Sequence, residues 1–146
     1  MNFEQLFSLA STIAMIGWLI LLFMPRRWSW LNLFPSTVIP MLLSIGYSLL
    51  IGRYFFFVEG GFNTLANVQL LFTTEALALA GWVHFLAFDL LIGAYIAKKS
   101  DQLGLSRLIQ APILLSTFMF GPFGYLLFLF TKSLTQGIKH KSVTAS

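Results

Sequence analysis

From Phe3 to Met24 the chain carries one charged side chain, Glu4, and from Thr74 to Ala97 its acidic and histidine residues are Glu75, His84 and Asp89. At 1.5 Å per residue each stretch is at least about 30 Å long as a helix, the thickness of a hydrocarbon core. Inside lipid every backbone N–H and C=O must be satisfied by the chain itself, and unbroken apolar runs of this length do that as helices. Charged residues are 10% of the 146 and hydrophobic residues 58%, against about 25% charged in a soluble domain. A water-soluble domain is therefore excluded.

Charge and composition narrow the class further. The formal net charge is +4, and the basic residues are scattered among short connections. They read as topology determinants and lipid-headgroup contacts, so no nucleic-acid partner is expected. There is no cysteine, which removes disulfides, thiol nucleophiles and thiolate metal sites. Two histidines and five acids offer little for a metal cage, and neither a metal nor a cofactor is expected. The first apolar stretch lacks a basic leader and spans fully, so it reads as a retained helix.

Taken in order, the chain predicts an all-α, four-span bundle over residues 1–134 with a polar tail over 135–146. Pro25-Arg26-Arg27 ends the first span, and Trp28 and Trp30 suit an aromatic belt. The second span runs from about Pro35 to Phe57, kinked at Pro40, with Asn32 and Ser36 as caps or interface residues. Arg53 snorkels near its far end. Glu59-Gly60-Gly61 signals a turn, and Leu65, Val68, Leu71 and Phe72 then define a short interfacial helix. Thr73-Thr74-Glu75 supplies hydroxyl caps for the third span, which Lys98-Lys99 closes. A tight loop from Ser100 to Arg107 leads to a fourth span from about Leu108 to Phe130, with Pro112 and Gly121-Pro122-x-Gly124 inside it. In that arrangement Arg26, Arg27, Lys98, Lys99 and Arg107 lie on one side and Arg53, Lys132, Lys139 and Lys141 on the other. Orientation is then undecided by charge.

The third span holds the candidate site. A carboxylate at mid-bilayer costs roughly 2.5–3.5 kcal/mol on insertion scales, and ionisable residues there usually have a partner or a task. Glu75, Trp82 and Asp89 recur every seven residues and share a helix face. His84 is about 140° from Asp89 at 100° per residue, so a direct His–Asp pair within the helix is disfavoured. Asp89 or His84 either moves a proton in an apolar cavity or serves as interhelical hydrogen-bonding glue. Glu75 also suits a helix first turn. Trp82 and Phe85 are candidate substrate contacts, as are Gly121 and Pro122, where the broken ladder frees carbonyls. Thr117 is placed to bond back to its own helix and assist the bend.

Thr74-Glu75 leading into Trp82-Val83-His84-Phe85-Leu86-Ala87-Phe88-Asp89-Leu90, followed by Gly121-Pro122-x-Gly124-Tyr125-Leu126 and Thr131-Lys132, resembles the plant abscisic-acid-deficient-four family and its bacterial relatives. The resemblance covers Thr74 to Leu134, more weakly Pro35 to Ile51. It implies a four-span membrane protein of carotenoid or isoprenoid metabolism. Plant members are required for making neoxanthin from violaxanthin, a redox-neutral opening of an epoxide to an allenic alcohol. That chemistry needs an acid and a base in a lipid-accessible pocket, roles that Asp89, His84 and Glu75 would share. The family pattern often has an arginine five residues after the aspartate, where this chain has Ala94.

The expected location is a bacterial inner or photosynthetic membrane. Membrane lipids, a carotenoid or other isoprenoid ligand, and a second copy or a membrane complex are the expected partners. A non-catalytic pigment- or lipid-binding protein, a small subunit of a larger complex, and a transporter subunit are the alternatives. An enzyme predicts a lateral, lipid-open cavity with Asp89 or His84 on its wall. A binding protein predicts those residues paired between helices.

Overall fold

The computed structural model describes the backbone of residues 2–144 and the side chains of residues 2–137. Helix α1 (Phe3–Phe23) opens on a capping box, in which the Asn2 side chain accepts from Gln5 N and the Gln5 side chain accepts from Asn2 N. It ends at the Pro25-Arg26-Arg27 connection, as its sequence predicts. The next helical run is continuous from Ser29 to Phe57. It comprises α2 (Ser29–Leu33), a π-helical turn (Phe34–Val38), α3 (Ile39–Tyr54) and a final 3₁₀ turn (Phe55–Phe57). Pro40 has no N–H and its ring crowds the carbonyl four residues back, which is Ser36. Just before it the chain widens to a π turn, and Ile39 N donates to Phe34 O, five residues back. Asn32 and Ser36 are not caps. Asn32 Nδ2 donates to Arg26 O at 2.6 Å and Ser36 Oγ to Asn32 O at 2.7 Å.

The short helix expected after the Gly60-Gly61 turn is α4 (Leu65–Phe72), capped by Thr64, whose side chain accepts from Asn67 N. Gly60 has φ +111, and a side chain there would strike the α4 backbone, so glycine is required at the turn. The long helix α5 (Glu75–Gln102) follows. Thr74 is its N-cap residue but makes no side-chain cap bond, contrary to the expected hydroxyl cap, and Thr73 Oγ1 donates to Leu70 O instead.

Helix α5 is the axis of the molecule. Small residues on both helices let α1 approach it closely: Gly17 of α1 lies against Leu90, and Gly93 of α5 lies against Trp18. With little hydrophobic drive between helices in lipid, such small-residue contacts and their dispersion are what hold spans together. The pairs Ser11–Trp82 and Trp18–Gly93 show α1 running parallel to α5. Phe3–Tyr54 and Gly17–Ile39 show α3 running back against both.

The expected fourth span is not a continuous helix. Helix α6 (Arg107–Phe120) descends along α5, from the Gln110–Asp101 contact to the level of Phe85 and Asp89. There Gly121, at φ +44 and ψ −96, breaks it, and α7 (Pro122–Thr144) begins at once. A side chain on Gly124 would overlap both the backbone and the hydroxyl of Thr117, a proximity that a continuous helix, with these residues two turns apart, forbids. The two helices form a hairpin. Asp89 meets Gly121, and six residues further along α5 Tyr95 meets Phe128, so α7 returns toward the end from which α6 came. Thr117 Oγ1 donates back to Ile113 O at 2.9 Å, the back-bond its position predicts.

This hairpin redistributes the charges. Lys132, one turn beyond Phe128, joins Arg26, Arg27, Lys98, Lys99 and Arg107 at one end of the bundle. Arg53 stays at the other end with Glu4, Glu59 and Glu75. Among the described residues three helical runs, Phe3–Phe23, Ser29–Phe57 and Glu75–Gln102, are long and apolar enough to cross a membrane. The segment expected as a polar tail continues α7 to Thr144, and its side chains beyond residue 137 lie outside the described residues.

Candidate functional site

Four residues of α1 at helical spacing, Ser11, Ala14, Met15 and Trp18, form one wall of a side cavity of about 270 Å³. Trp82, Phe85, Leu86 and Asp89 of α5 form the second wall, and Phe118 and Met119 of α6 close it. The heptad face read from the sequence thus brings Trp82 and Asp89 into one site, with Phe85 beside them. Trp82 is fixed at one end: its indole Nε1 donates to Ser11 Oγ at 2.9 Å, and its ring packs on Phe7 and Phe85. The Ser11 hydroxyl proton is committed to no acceptor among the described residues, so this wall offers a donor to a guest.

Asp89 sits at the other end of the cavity, about 10 Å further along α5, and is only 9% exposed. Its Oδ2 is buried with no hydrogen-bond partner among the described residues. The carboxylate packs against the hairpin tip, and a Cβ on Gly121 would come within 2.6 Å of Oδ1. Only glycine allows both this contact and the positive φ. The tip also presents the α6 C-terminus and the α7 N-terminus, where backbone groups lack helical partners. Pro122, the other tip candidate, is exposed and opens α7, where its missing N–H costs nothing.

His84 and Glu75 are elsewhere. His84 stacks on Phe88 with centroids 4.6 Å apart and faces Tyr47 of α3 at 5.4 Å, on the far side of α5. Glu75 lines a separate cavity of about 840 Å³ with Asn2, Glu4, Tyr54 and Trp82. Trp82 is therefore the partition between the two spaces. Ala94, where the family pattern often has an arginine, brings no cation toward Asp89. Among the described residues no group of three or more His, Asp or Glu side chains converges as a metal site.

Ser11 escaped attention in the sequence because a lone serine in an apolar helix carries no motif. Its trace in the sequence is the stripe Ser11, Ala14, Met15, Trp18 along one side of α1, which in the fold is turned toward the Trp82–Asp89 face of α5. A second polar cluster was likewise not foreseen. Arg26 Nη1 donates to Asp101 Oδ2 at 2.8 Å and to Ala97 O at 2.6 Å. Gln110 Nε2 donates to Asp101 Oδ1 and Leu105 O, both at 2.8 Å, and Arg107 Nη2 donates to Met24 O at 2.9 Å. Burial holds the Arg26 guanidinium below its ordinary range, against the raising effect of Asp101.

The fold and the cavity define a helical membrane protein in which an unpaired carboxylate meets the tip of a helical hairpin. A family model described as ABA DEFICIENT 4-like matches residues 5–128, from α1 through the hairpin to Phe128, and the chain belongs to that family. Membership places it among carotenoid-related membrane proteins. No curated protein and no solved structure shows a significant match.

Proposed function

We propose that this protein is a multi-pass membrane isomerase that acts on an isoprenoid without net redox change, with Asp89 as the proton-transferring group. The observation that carries this reading is the Asp89 carboxyl group, nine-tenths buried, with one oxygen unpartnered, on the wall of an apolar side cavity. A structural carboxylate would have a partner. One without a partner in hydrocarbon opposes insertion by roughly 2.5–3.5 kcal/mol, so its presence calls for a task. A carboxyl group has two oxygens, so one group can deliver a proton to an epoxide oxygen, which stays on the guest through its second C–O bond, and take a carbon-bound proton in return. The C–O bond breaks, an unsaturation forms, and the composition of the guest is unchanged.

The cavity volume supports a partial guest. About 270 Å³ lies just below the usual range of ligand pockets, about 300–1,000 Å³. It suits a ring-sized end group whose chain stays in lipid, with Ser11 as donor to a second oxygen and Trp82 and Phe85 as flat walls. His84 has no part in this arrangement, and Glu75 serves the neighbouring space.

A non-catalytic lipid- or pigment-binding role is the second reading. It is favoured by an apolar groove of about 450 Å³ between α1, α3 and α5, lined by Leu9, Leu42 and Leu49 among others, with Arg53 at one end. The test is incubation of purified protein in nanodiscs with epoxy-carotenoids, without added cofactor. The isomerase reading expects a product of unchanged mass and altered chromophore. Retention of pigment without conversion supports the binding reading.

A further inference from the structure

At the basic end of the bundle, α1, α2, the π turn and α5 line a further cavity of about 470 Å³, separate from the Asp89 site. Its buried lining is apolar, made by Leu21, Ala94 and Ala97, and it also carries Arg26, Ser29, Asn32, Ser36, Lys98 and Asp101. The π turn brings Ser36 to this cavity. Arg26 is the anchor: its side chain is 12% exposed, one nitrogen is held by Asp101 and Ala97 O, and Nε and Nη2 have no partner among the described residues. Buried guanidinium donors are seldom left unmade, because each costs its desolvation. Two cations line the cavity against one carboxylate, and that carboxylate is shared with Gln110.

The depth is that of lipid headgroups. The exposed rings of Trp28 and Trp30 flank the cavity in sequence, and aromatic belts of this kind lie at the membrane–water boundary. We infer that this cavity binds a phosphate-headed amphiphile, with its phosphate at Arg26 and Lys98 and the start of its tail over Ala94 and Leu21. A guanidinium fork matches phosphate oxygens, and the ammonium of Lys98 adds a point charge. The shared chemistry is a phosphate ester of net negative charge on an apolar chain, whether an anionic bilayer phospholipid or a prenyl phosphate; the choline ammonium of a zwitterionic head would meet Arg26 and Lys98 with like charge. This inference rests on the helices crossing a bilayer and does not depend on Asp89 chemistry.

Native mass spectrometry of the protein released from detergent tests it, titrated in turn with phosphatidylglycerol, phosphatidylcholine, a long prenyl phosphate and inorganic phosphate. Phosphatidylglycerol or the prenyl phosphate is expected to be retained over phosphatidylcholine, and whichever binds tighter identifies the source. Lys98→Gln is expected to weaken retention by about fivefold, the effect of one basic residue at an anionic surface. Ala94→Leu, which fills the apolar lining, is expected to weaken it as well. Lys98 is exposed and unpaired among the described residues, so its variant folds even if Ala94→Leu does not. Equal retention of phosphatidylcholine, or unchanged retention in Lys98→Gln, overturns the assignment. So does inorganic phosphate binding that Ala94→Leu leaves intact, because the apolar lining would then be irrelevant.

Discussion

Two aspartates stand twelve residues apart on α5, and their surroundings differ in every respect that matters. Asp101, at the basic end, has both oxygens engaged, one by Arg26 and one by Gln110, and its side chain is 41% exposed. It ties the α1–α2 connection and the start of α6 to the end of α5. Asp89, in the middle of the helix, has a buried oxygen with no partner and faces a cavity and a glycine. The first residue is placed as structural residues are, with its hydrogen-bonding capacity used. The second is left unsatisfied where that is most costly, and a backbone break is brought to it. The lesson is that the partner list of an acidic residue, more than its burial, separates holding a bundle together from doing chemistry in it.

The comparison is broken most severely at Asp89. Asp89→Asn keeps the shape and removes proton transfer, so turnover of an epoxy-isoprenoid by purified protein is expected to fall by about 10²–10⁴-fold, the usual contribution of a general acid or base. Melting temperature should stay near wild type. Gly121→Ala is the next largest. It forces a Cβ onto the Asp89 carboxylate at a backbone conformation disfavoured for side chains, at a cost of about 1–3 kcal/mol, and both stability and turnover should drop. Asp101→Asn leaves turnover per folded molecule unchanged and lowers stability by about 1–3 kcal/mol, because a hydrogen bond to a charged donor is lost. His84→Ala is the smallest. It removes ring contacts worth about 0.5–1.5 kcal/mol, and turnover should not change, which a pH-independent assay of conversion would verify.

The hairpin gives a different kind of check. The chain has no native cysteine, so single cysteines report sidedness cleanly. Lys132→Cys should label with a membrane-impermeant maleimide from the same side as Lys98→Cys, and Glu59→Cys from the opposite side. Among the residues with described side chains six basic ones lie at one end and Arg53 at the other, so the basic end is expected to face the cytoplasm. Labelling of Lys132→Cys from the Glu59 side would restore a fourth span.

Much of this was legible from residues alone. The first two long runs were bounded by Pro25-Arg26-Arg27 and by Glu59-Gly60-Gly61, since hydrophobic length with charged ends is a strong signal in lipid. Lys98-Lys99 does not end the third, because α5 continues to Gln102 and shortens the loop expected from Ser100 to Arg107. The seven-residue spacing of Glu75, Trp82 and Asp89 placed Trp82 and Asp89 in one cavity but left Glu75 in the neighbouring one, and the 140° offset kept His84 out of both. The hairpin was not legible in detail. Gly121-Pro122 announces a break, yet a kinked span and a reversal share the same residues. The choice is made by the close packing of Gly124 on Thr117, a contact between elements that local sequence does not encode. The π turn was missed for a similar reason. Two prolines five residues apart predict trouble in the ladder, and the way the chain absorbs it depends on the neighbours. The Arg26–Asp101–Gln110 cluster joins residues up to 84 positions apart in sequence, beyond any pattern of spacing.

The most direct measurement is a crossed comparison in a host lacking the gene and supplied with wild type, Asp89→Asn or Asp101→Asn. The isoprenoid profile is read by chromatography, and the amount and melting temperature of each membrane protein are read beside it. The account predicts that Asp89→Asn accumulates normally and melts like wild type, yet leaves the profile of the deletion. Asp101→Asn should melt lower and still restore the profile in proportion to the protein present. If Asp89→Asn restores the profile, or loses it only because the protein is unstable, the unpaired carboxylate is part of the scaffold and the proposed chemistry is wrong.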